Sequence, residues 1–392
     1  MLKTKIAITS VASFSPLGRT SSEVWNEYLN PKTLITEQTI GNKNALVAPL
    51  TSSLAKEVEA LRNSDVKYKL LDNSVLYAIF ASREAVKNAG WNDGVFGVNI
   101  GSSRGATQLF EKHHQEFLET GKTPTLTSPT TTLGNISTWV AHDLKAKGPK
   151  LSHSVTCSTA LHALLNGIAW LQAGMADKFL VGGSEAPLTA FTIAQMQALK
   201  IYADPKNRHT ALGEWVCRAL DLDKTKNSMV LGEGAAMACL EIGEQKNALG
   251  YIAGFGYATD DLQHSISITE EAECFQKSMK MALQSVPLDE IDVVVMHAQG
   301  TIKGDKSEYK ALQKVFGKKL PMLTTNKWKI GHTLGASGMF SIEMALMMLQ
   351  HQEFIGVPFV TEQNPRKAIQ NVLINAVGFG GNAVSILLRR TF

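Results

Sequence analysis

The sequence predicts an α/β protein in which helices and sheets are stacked in layers, and three observations carry that prediction. Short continuous apolar runs, Phe179-Leu180-Val181 before Gly182-Gly183 and Ile291-Asp292-Val293-Val294-Val295-Met296, fit strands buried on both faces. Longer segments with helical periodicity alternate with them, which is the pattern of layered α/β domains. The chain also has 392 residues, 44% of them hydrophobic, enough for a large interior organised as one or two fused domains.

Taken in order, the elements begin with Ile6-Ala7-Ile8 behind Lys3 and Lys5. Thr9 and Ser10 cut this apolar stretch too short for a secretory signal, so it is read as a buried first strand. A helix is predicted from Asp72 to Asn88, stopped by Gly90. The Thr/Pro-rich stretch 123–132 is expected to be a loop or cap. A strand-like segment, Leu151 to Thr156, leads into Cys157 and a helix running through Trp170. A break without flexible linker falls near Gln245 to Gly250 and divides the chain into residues 1–247 and 248–392. Both halves open on a strand with a Gly-rich turn, Lys5 to Gly18 and Gly250 to Gly256, and each later presents a helix. Such likeness is expected of a duplicated domain. The second half continues with the strand Ile291 to Met296, a helix after Gly338 through Leu349, the turn Gly378-Phe379-Gly380-Gly381-Asn382, and a last strand, Ala383 to Leu388.

Charge and cysteine usage exclude several function classes. With 39 Lys plus Arg against 35 Asp plus Glu, the formal charge of +4 is too balanced for nucleic-acid binding by bulk electrostatics. Cys157, Cys217, Cys239 and Cys274 show neither the Cys-x-x-Cys spacing of a metal site nor the density of a disulfide framework. Reduced thiols in a cytoplasmic protein are expected. No apolar run approaches the length of a membrane-spanning helix, and Gly101 to Gly105 is too short for a phosphate loop. No metal and no bound cofactor are expected.

The chemistry-bearing candidates are few. Cys157 lies where a strand-like segment meets a helix, so its sulfur can face the positive end of a helix dipole, which lowers a thiol pKa and favours the thiolate nucleophile. The alternative is a small buried hydrophobe. His297 follows a strand and opens a polar turn, where α/β proteins collect functional groups. His332, after Gly331, precedes the small-residue run Leu334-Gly335-Ala336-Ser337-Gly338. Each histidine taken alone is as well read as structural. The glycines around Phe379 could offer backbone N–H groups suited to an oxyanion site, or simply form a tight turn.

Taken together, these segments resemble the β-ketoacyl-ACP synthases, condensing enzymes of the thiolase superfamily, over nearly the whole chain. The resemblance is carried by Phe14-Ser15-Pro16-Leu17-Gly18, Ile100-Gly101-Ser102, the Cys157 segment, Gly182-Gly183-Ser184-Glu185 and Leu231-Gly232-Glu233-Gly234. The most specific piece is His297-Ala298-Gln299-Gly300-Thr301-Ile302-Lys303-Gly304-Asp305-Lys306-Ser307-Glu308, similar to the family's HGTGT-x-x-GD-x-x-E. Lys327 and His332 keep the spacing of K-x-x-x-GH.

The resemblance implies a thiolase-like fold, two similar α/β halves forming a layered αβαβα core, and an acyltransferase with a Cys-His-His site. Cys157 would accept an acyl group from a carrier-protein thioester, and a malonyl carrier would then lose carbon dioxide and attack it, as in fatty-acid, polyketide or polyene chain elongation. His297 and His332 would stabilise the enolate as neutral imidazoles, with Lys327 supplying positive charge behind them. The backbone N–H groups of Cys157 and Phe379, next to Gly380, would form the oxyanion hole, and Phe379 would gate the acyl pocket. Thr301 and Gln299 would touch the pantetheine arm. The implied partners are an acyl carrier protein and a second subunit, in a homodimer or a heterodimer. Lys67, Lys69, Lys206, Arg208 and Arg218 are candidate contacts for an acidic carrier.

The sequence departs from the family in three places, one of them a residue missing between Gly378-Phe379-Gly380-Gly381 and Asn382, which leaves the shape of the gate and pocket open. The glutamate after the family's GAAG would fall on Ser341, whereas this chain has Glu343, which leaves the partner of Lys327 open. Arg104 occupies an acyl-pocket position that is apolar or small in relatives. It either faces the substrate, implying a polar, aryl or polyenic acyl group or a pocket shared with a neighbouring subunit, or turns outward into a surface ion pair. A degradative thiolase needs a second cysteine near the C-terminus, but none follows Cys274. A Cys-His-Asn condensing enzyme would not need His332, and a cysteine hydrolase needs neither the second histidine nor the GD-x-x-E segment. A non-catalytic partner subunit akin to a chain-length factor is the remaining alternative, although such partners usually lack the nucleophile.

Overall fold

A computed structural model of the protein describes residues 3–133, 135–205, 215–261, 269–360 and 368–391. The first strand, Ile6–Phe14, is buried along its whole length and lies inside a ten-stranded sheet. On one side it runs antiparallel to Gly234–Ile242, which is antiparallel to Lys178–Glu185. Gly97–Gly101 lies parallel beside that strand, and the short strand Lys150–Leu151 closes the edge, again parallel. On the other side, Ala7 pairs with Tyr251 and Ile8 with Gly250. From Gly250–Thr259 the same series of relations repeats outward: Asn382–Arg389 antiparallel, Asn371–Gly378 antiparallel, Val293–Val295 parallel and Met322–Thr324 parallel at the far edge. The two half-sheets thus share one strand order and one set of orientations.

Helices complete the layers. Asn73–Ala89 covers Ile6–Phe14, Lys178–Glu185 and Gly234–Ile242, and Glu273–Ala282 covers the equivalent strands of the other half. Asp72 caps the first of these helices by accepting from the Ser74 N–H, and Gly90 ends it with a left-handed φ of 73°, so both boundaries lie where the capping residues place them. Thr159–Gln172 and Ser337–His351 pack against each other between the halves. A Cβ on Gly338 would stand 2.6 Å from Leu161 Cγ, so this approach needs the bare glycine backbone. Every residue from Ser337 to Leu349 is buried, as a helix in a central layer requires. Leu161, Leu164, Met339 and Ile342 of this pair join one continuous core, where truncating a leucine to alanine costs about 2–5 kcal/mol. The result is the αβαβα stack.

Three expectations need correction. Gly250 to Gly256 is no turn: the strand runs unbroken through Gly250–Thr259, and its glycines serve close packing, since a Cβ on Gly254 would lie 2.0 Å from the Ala282 carbonyl oxygen. Only Lys150–Leu151 of the segment up to Thr156 is strand, because the chain must leave the sheet to build the bend before Cys157. The stretch 123–132 contains a short helix, Thr127–Thr131. Among the described residues, no helix is long and apolar enough to cross a membrane.

Candidate active site

Cys157 sits on a sharp elbow. Thr156 is held at φ 48°, a left-handed conformation that a β-branched residue adopts only where its surroundings over-determine it. The Asn371–Gly378 strand supplies that constraint: a Cβ on Gly378 would lie 2.2 Å from Thr156 Oγ1 and 2.5 Å from the Val155 carbonyl oxygen. Ser158 occupies the N-cap position of the helix Thr159–Gln172 without a side-chain capping bond, its hydroxyl donating instead to the Val155 carbonyl at 3.0 Å, so the thiol stands at the helix N-terminus as its sequence context predicts. The expected lowering of its pKa is absent. Burial, reinforced by the Glu185 carboxylate, pushes the thiol up to about 12 against the opposing charges of Lys327 and Arg104. The magnitudes explain the outcome: a helix dipole is worth about 0.3–1 kcal/mol, under one pKa unit, whereas the rise here spans about three.

The other half contributes the histidines, and the Lys327 charge that acts on Cys157 acts on both of them. His297 and His332 lie edge to face with ring centroids 5.2 Å apart. Nδ1 of His297 and both ring nitrogens of His332 are buried without a hydrogen-bond partner, so they remain available to a substrate oxygen. Burial and the Lys327 charge push His297 down to about 3. Burial, with His297 and Lys327 adding, lowers His332 well below the ordinary range. Both imidazoles are therefore neutral at physiological pH.

Lys327 Nζ donates to Asn326 Oδ1 at 2.9 Å. Burial draws Lys327 down to about 8, and the anion that opposes this most is Glu308. Glu343 is not that partner. It is buried, pushed up to about 8 with only Ser13 to offset the burial, and it stands near Tyr28.

The GD-x-x-E segment has a mechanical role that its spacing alone did not reveal. Asp305 and Glu308, three residues apart, share the buried face of the helix Ile302–Phe316. Glu308 accepts the backbone N–H groups of His297 at 3.0 Å and Ala298 at 2.9 Å, and Asn375 donates to it at 3.2 Å. Asp305 accepts from the Gly300 N–H at 3.1 Å and the Leu220 N–H at 3.0 Å, and pairs with Lys224 at 2.7 Å. Hydrogen bonds to charged groups are worth about 1.5–3 kcal/mol each, so these carboxylates clamp the loop that carries His297. The Leu231-Gly232 segment clamps the other loop: the His332 N–H donates to the Val230 carbonyl at 2.6 Å and Gly232 N–H to the His332 carbonyl at 3.1 Å.

The remaining candidates divide. Phe379 is half-buried in the turn that abuts the elbow, followed by Gly380 at φ 83°. Gln299 hydrogen-bonds His297. The Thr301 hydroxyl is used locally, accepting from Gly304 N–H at 3.2 Å as a helix cap. Arg104 is half-buried; its Nη2 donates to Gln195 Oε1 and its Nε is shielded from solvent. Among the carrier-contact candidates, Lys206 and Arg208 lie outside the described residues. Lys67 is paired with Asp65 at 3.3 Å and Arg218 with Asp221 at 2.8 Å, while Lys69 is exposed. Asn326, Tyr28 and Asn375 escaped sequence reasoning because no spacing to the histidines marks them.

Comparison with known proteins agrees with this geometry. Residues 3–246 match the N-terminal domain and residues 249–358 the C-terminal domain of the β-ketoacyl synthases. A 3-oxoacyl-[acyl-carrier-protein] synthase 2 of Staphylococcus aureus is 28% identical over 98% of both chains. Two solved structures share the fold. The ishigamide ketosynthase/chain length factor aligns with a TM-score of 0.83 at 19% identity, over 99% of each chain. A type II polyketide ketosynthase in complex with its acyl carrier protein aligns at 0.82 and 20% identity, over 98% of this chain and 99% of that one. The paired family domains span a sheet whose second half repeats its first, with a thiol contributed by one half and two imidazoles by the other, and on that evidence the chain belongs to the β-ketoacyl synthase family.

Proposed function

We propose that this protein is a β-ketoacyl-[acyl-carrier-protein] synthase that extends an acyl chain by decarboxylative Claisen condensation. The observation that carries the reading is the pair of neutral, buried imidazoles with unpartnered ring nitrogens, linked to a buried cysteine on an elbow by the one Lys327 charge that acts on all three. Neutral N–H donors in a dry site stabilise an enolate oxygen without having to release a proton.

In the first step Cys157 Sγ attacks the carrier thioester carbonyl. The new S–acyl bond forms as the carrier's C–S bond breaks, and the thiol proton leaves with the carrier's sulfur. The backbone N–H groups of Cys157 and Phe379 stabilise the oxyanion. In the second step a malonyl carrier loses carbon dioxide, and the electron pair of the broken C–C bond becomes an enolate held by His297 and His332. Its carbon attacks the acyl-cysteine carbonyl, a C–C bond forms, and the Cys157 sulfur is released to regain a proton. Glu308 holds the His297 loop in place, and burial together with the Lys327 charge keeps both imidazoles neutral.

The chemistry proposed needs no cofactor beyond the phosphopantetheine arm of an acyl carrier protein, against which Gln299 and Thr301 would lie. We assign the work to the cytoplasm, where four cysteines remain free, and to a homodimer or a heterodimer with a related subunit. The halves 1–247 and 248–392 are read as one duplicated unit, supported by the repeated strand order. The second reading, a chain-length-factor-like partner, draws on the unusual Arg104, while the intact Cys157 speaks for a catalyst.

Intact-mass analysis after incubation with acyl-carrier thioesters separates the two. The wild type should gain one acyl mass and Cys157→Ala none, a loss of more than about a thousand-fold. A wild type that gains no acyl mass from any carrier leaves the partner reading standing instead.

A further inference from the structure

Arg104 follows the strand Gly97–Gly101 and is half-buried. Its Nη2 donates to Gln195 on the helix Ala190–Ala198. Ile193 and Met196 of that helix, with Leu334 and Tyr202, form one apolar cluster with Cys157. The Arg104 charge acts directly on the Cys157 thiol and on the Glu185 carboxylate. Glu185 spends Oε1 on the N–H groups of Ser103 and of Gly335, the latter at 3.1 Å; its Oε2 is, like Arg104 Nε, buried without a partner, and no hydrogen bond joins the two side chains. Arg104 Nε is shielded from solvent and has no hydrogen-bond partner. A half-buried guanidinium whose Nε–H is shielded from solvent is destabilised unless that donor is satisfied. A saturated acyl chain would leave that N–H unpaired and lay methylenes against a charge.

We infer that Arg104 selects the acyl group: Cys157 accepts chains that carry an oxygen acceptor, a ketone or hydroxyl, placed to receive the Arg104 Nε–H, in preference to saturated chains. This deepens the acyltransferase reading and rests on it. A site built to hydrogen-bond a substrate group discriminates strongly against the analogue lacking it, because its own donor is then buried unpaired. The planar guanidinium, fixed at one end by Gln195, presents the free N–H in a defined direction.

The test uses acyl-pantetheine thioesters: octanoyl, its 3-oxo, 5-oxo and 7-oxo derivatives of the same chain length, and a 5-phenylpentanoyl probe without oxygen on the chain. Acylation of Cys157 is followed by intact mass. At least one oxo derivative should react about ten-fold or more faster than octanoyl, and Arg104→Leu should remove or reverse that preference. The wild-type order of rates is read without any variant, so a poorly folding Arg104→Leu does not rescue the idea. Equal or faster reaction of octanoyl, a preference for the phenyl probe, or an oxo preference that survives in a folded Arg104→Leu protein overturns the inference while leaving the acyltransferase assignment intact. No acyl mass from any probe overturns both.

Discussion

Two helices hold equivalent places in the two halves and carry different chemistry. Thr159–Gln172 follows the edge strand Lys150–Leu151 and precedes Lys178–Glu185. Ser337–His351 follows Met322–Thr324 and precedes Asn371–Gly378. Cys157 stands ahead of the first helix and His332 ahead of the second. One strand inward, the loop after Gly97–Gly101 carries Arg104 and the loop after Val293–Val295 carries His297. The scaffold thus brings four loops together and the side chains divide the labour: one half offers the thiol that would hold the acyl group covalently, the other the imidazoles that would stabilise the enolate. The halves also differ in how their loops are fixed. The cysteine elbow is wedged by packing into a left-handed bend at Thr156, whereas the His297 loop is clamped by buried carboxylates.

That division can be broken by experiment. The largest effect is expected from His297→Ala or His332→Ala, each lowering carbon dioxide release from a malonyl carrier by about 10²–10³-fold while Cys157 still gains an acyl mass. Loss of acylation with decarboxylation intact would mean that the labour is not divided along the halves.

A second effect separates the two helices themselves. Glu343, buried in Ser337–His351, has its folded pKa raised from 4.5 to about 8. Between those values the folded state keeps a proton that the unfolded chain gives up, so stability falls as pH rises through that window. Glu343→Gln should be more stable than wild type by about 2–4 kcal/mol at pH 8, with the difference vanishing near pH 4.5 in denaturant titrations. A constant difference across pH would place an ion pair at Glu343 instead.

The smallest effect belongs to the elbow. Thr156→Gly relieves the left-handed strain and should raise stability by about 0.5–1 kcal/mol while slowing acylation of Cys157 and leaving malonyl decarboxylation unchanged. Faster acylation in that variant would show that the elbow's rigidity does not serve the thiol.

Much of this molecule was legible in the sequence, and particular residues show why. Asp72 and Gly90 are local caps, so the helix between them could be bounded without knowing what it packs against. The continuous apolar run around Val293 marks a strand buried on both faces wherever it sits in the sheet. Cys157, His297, His332 and Lys327 could be grouped because their neighbours form recognisable strings. Glycines were harder: Gly254 looks like a turn in sequence and is a packing site, because the carbonyl of Ala282 that crowds it is brought there only by folding.

The sequence by itself determined the layered α/β class and the helix boundaries set by caps, since these depend on residue type and short spacing, while the thiol and the two imidazoles were singled out by the family their flanking strings resemble. The tertiary structure alone decided the protonation of the site and the direction of Arg104. Burial raises the thiol, lowers both histidines and Lys327, and does so by summing many distant groups into one low-dielectric interior. The direction of the guanidinium depends on Gln195, ninety-one positions away, a contact that no local pattern encodes.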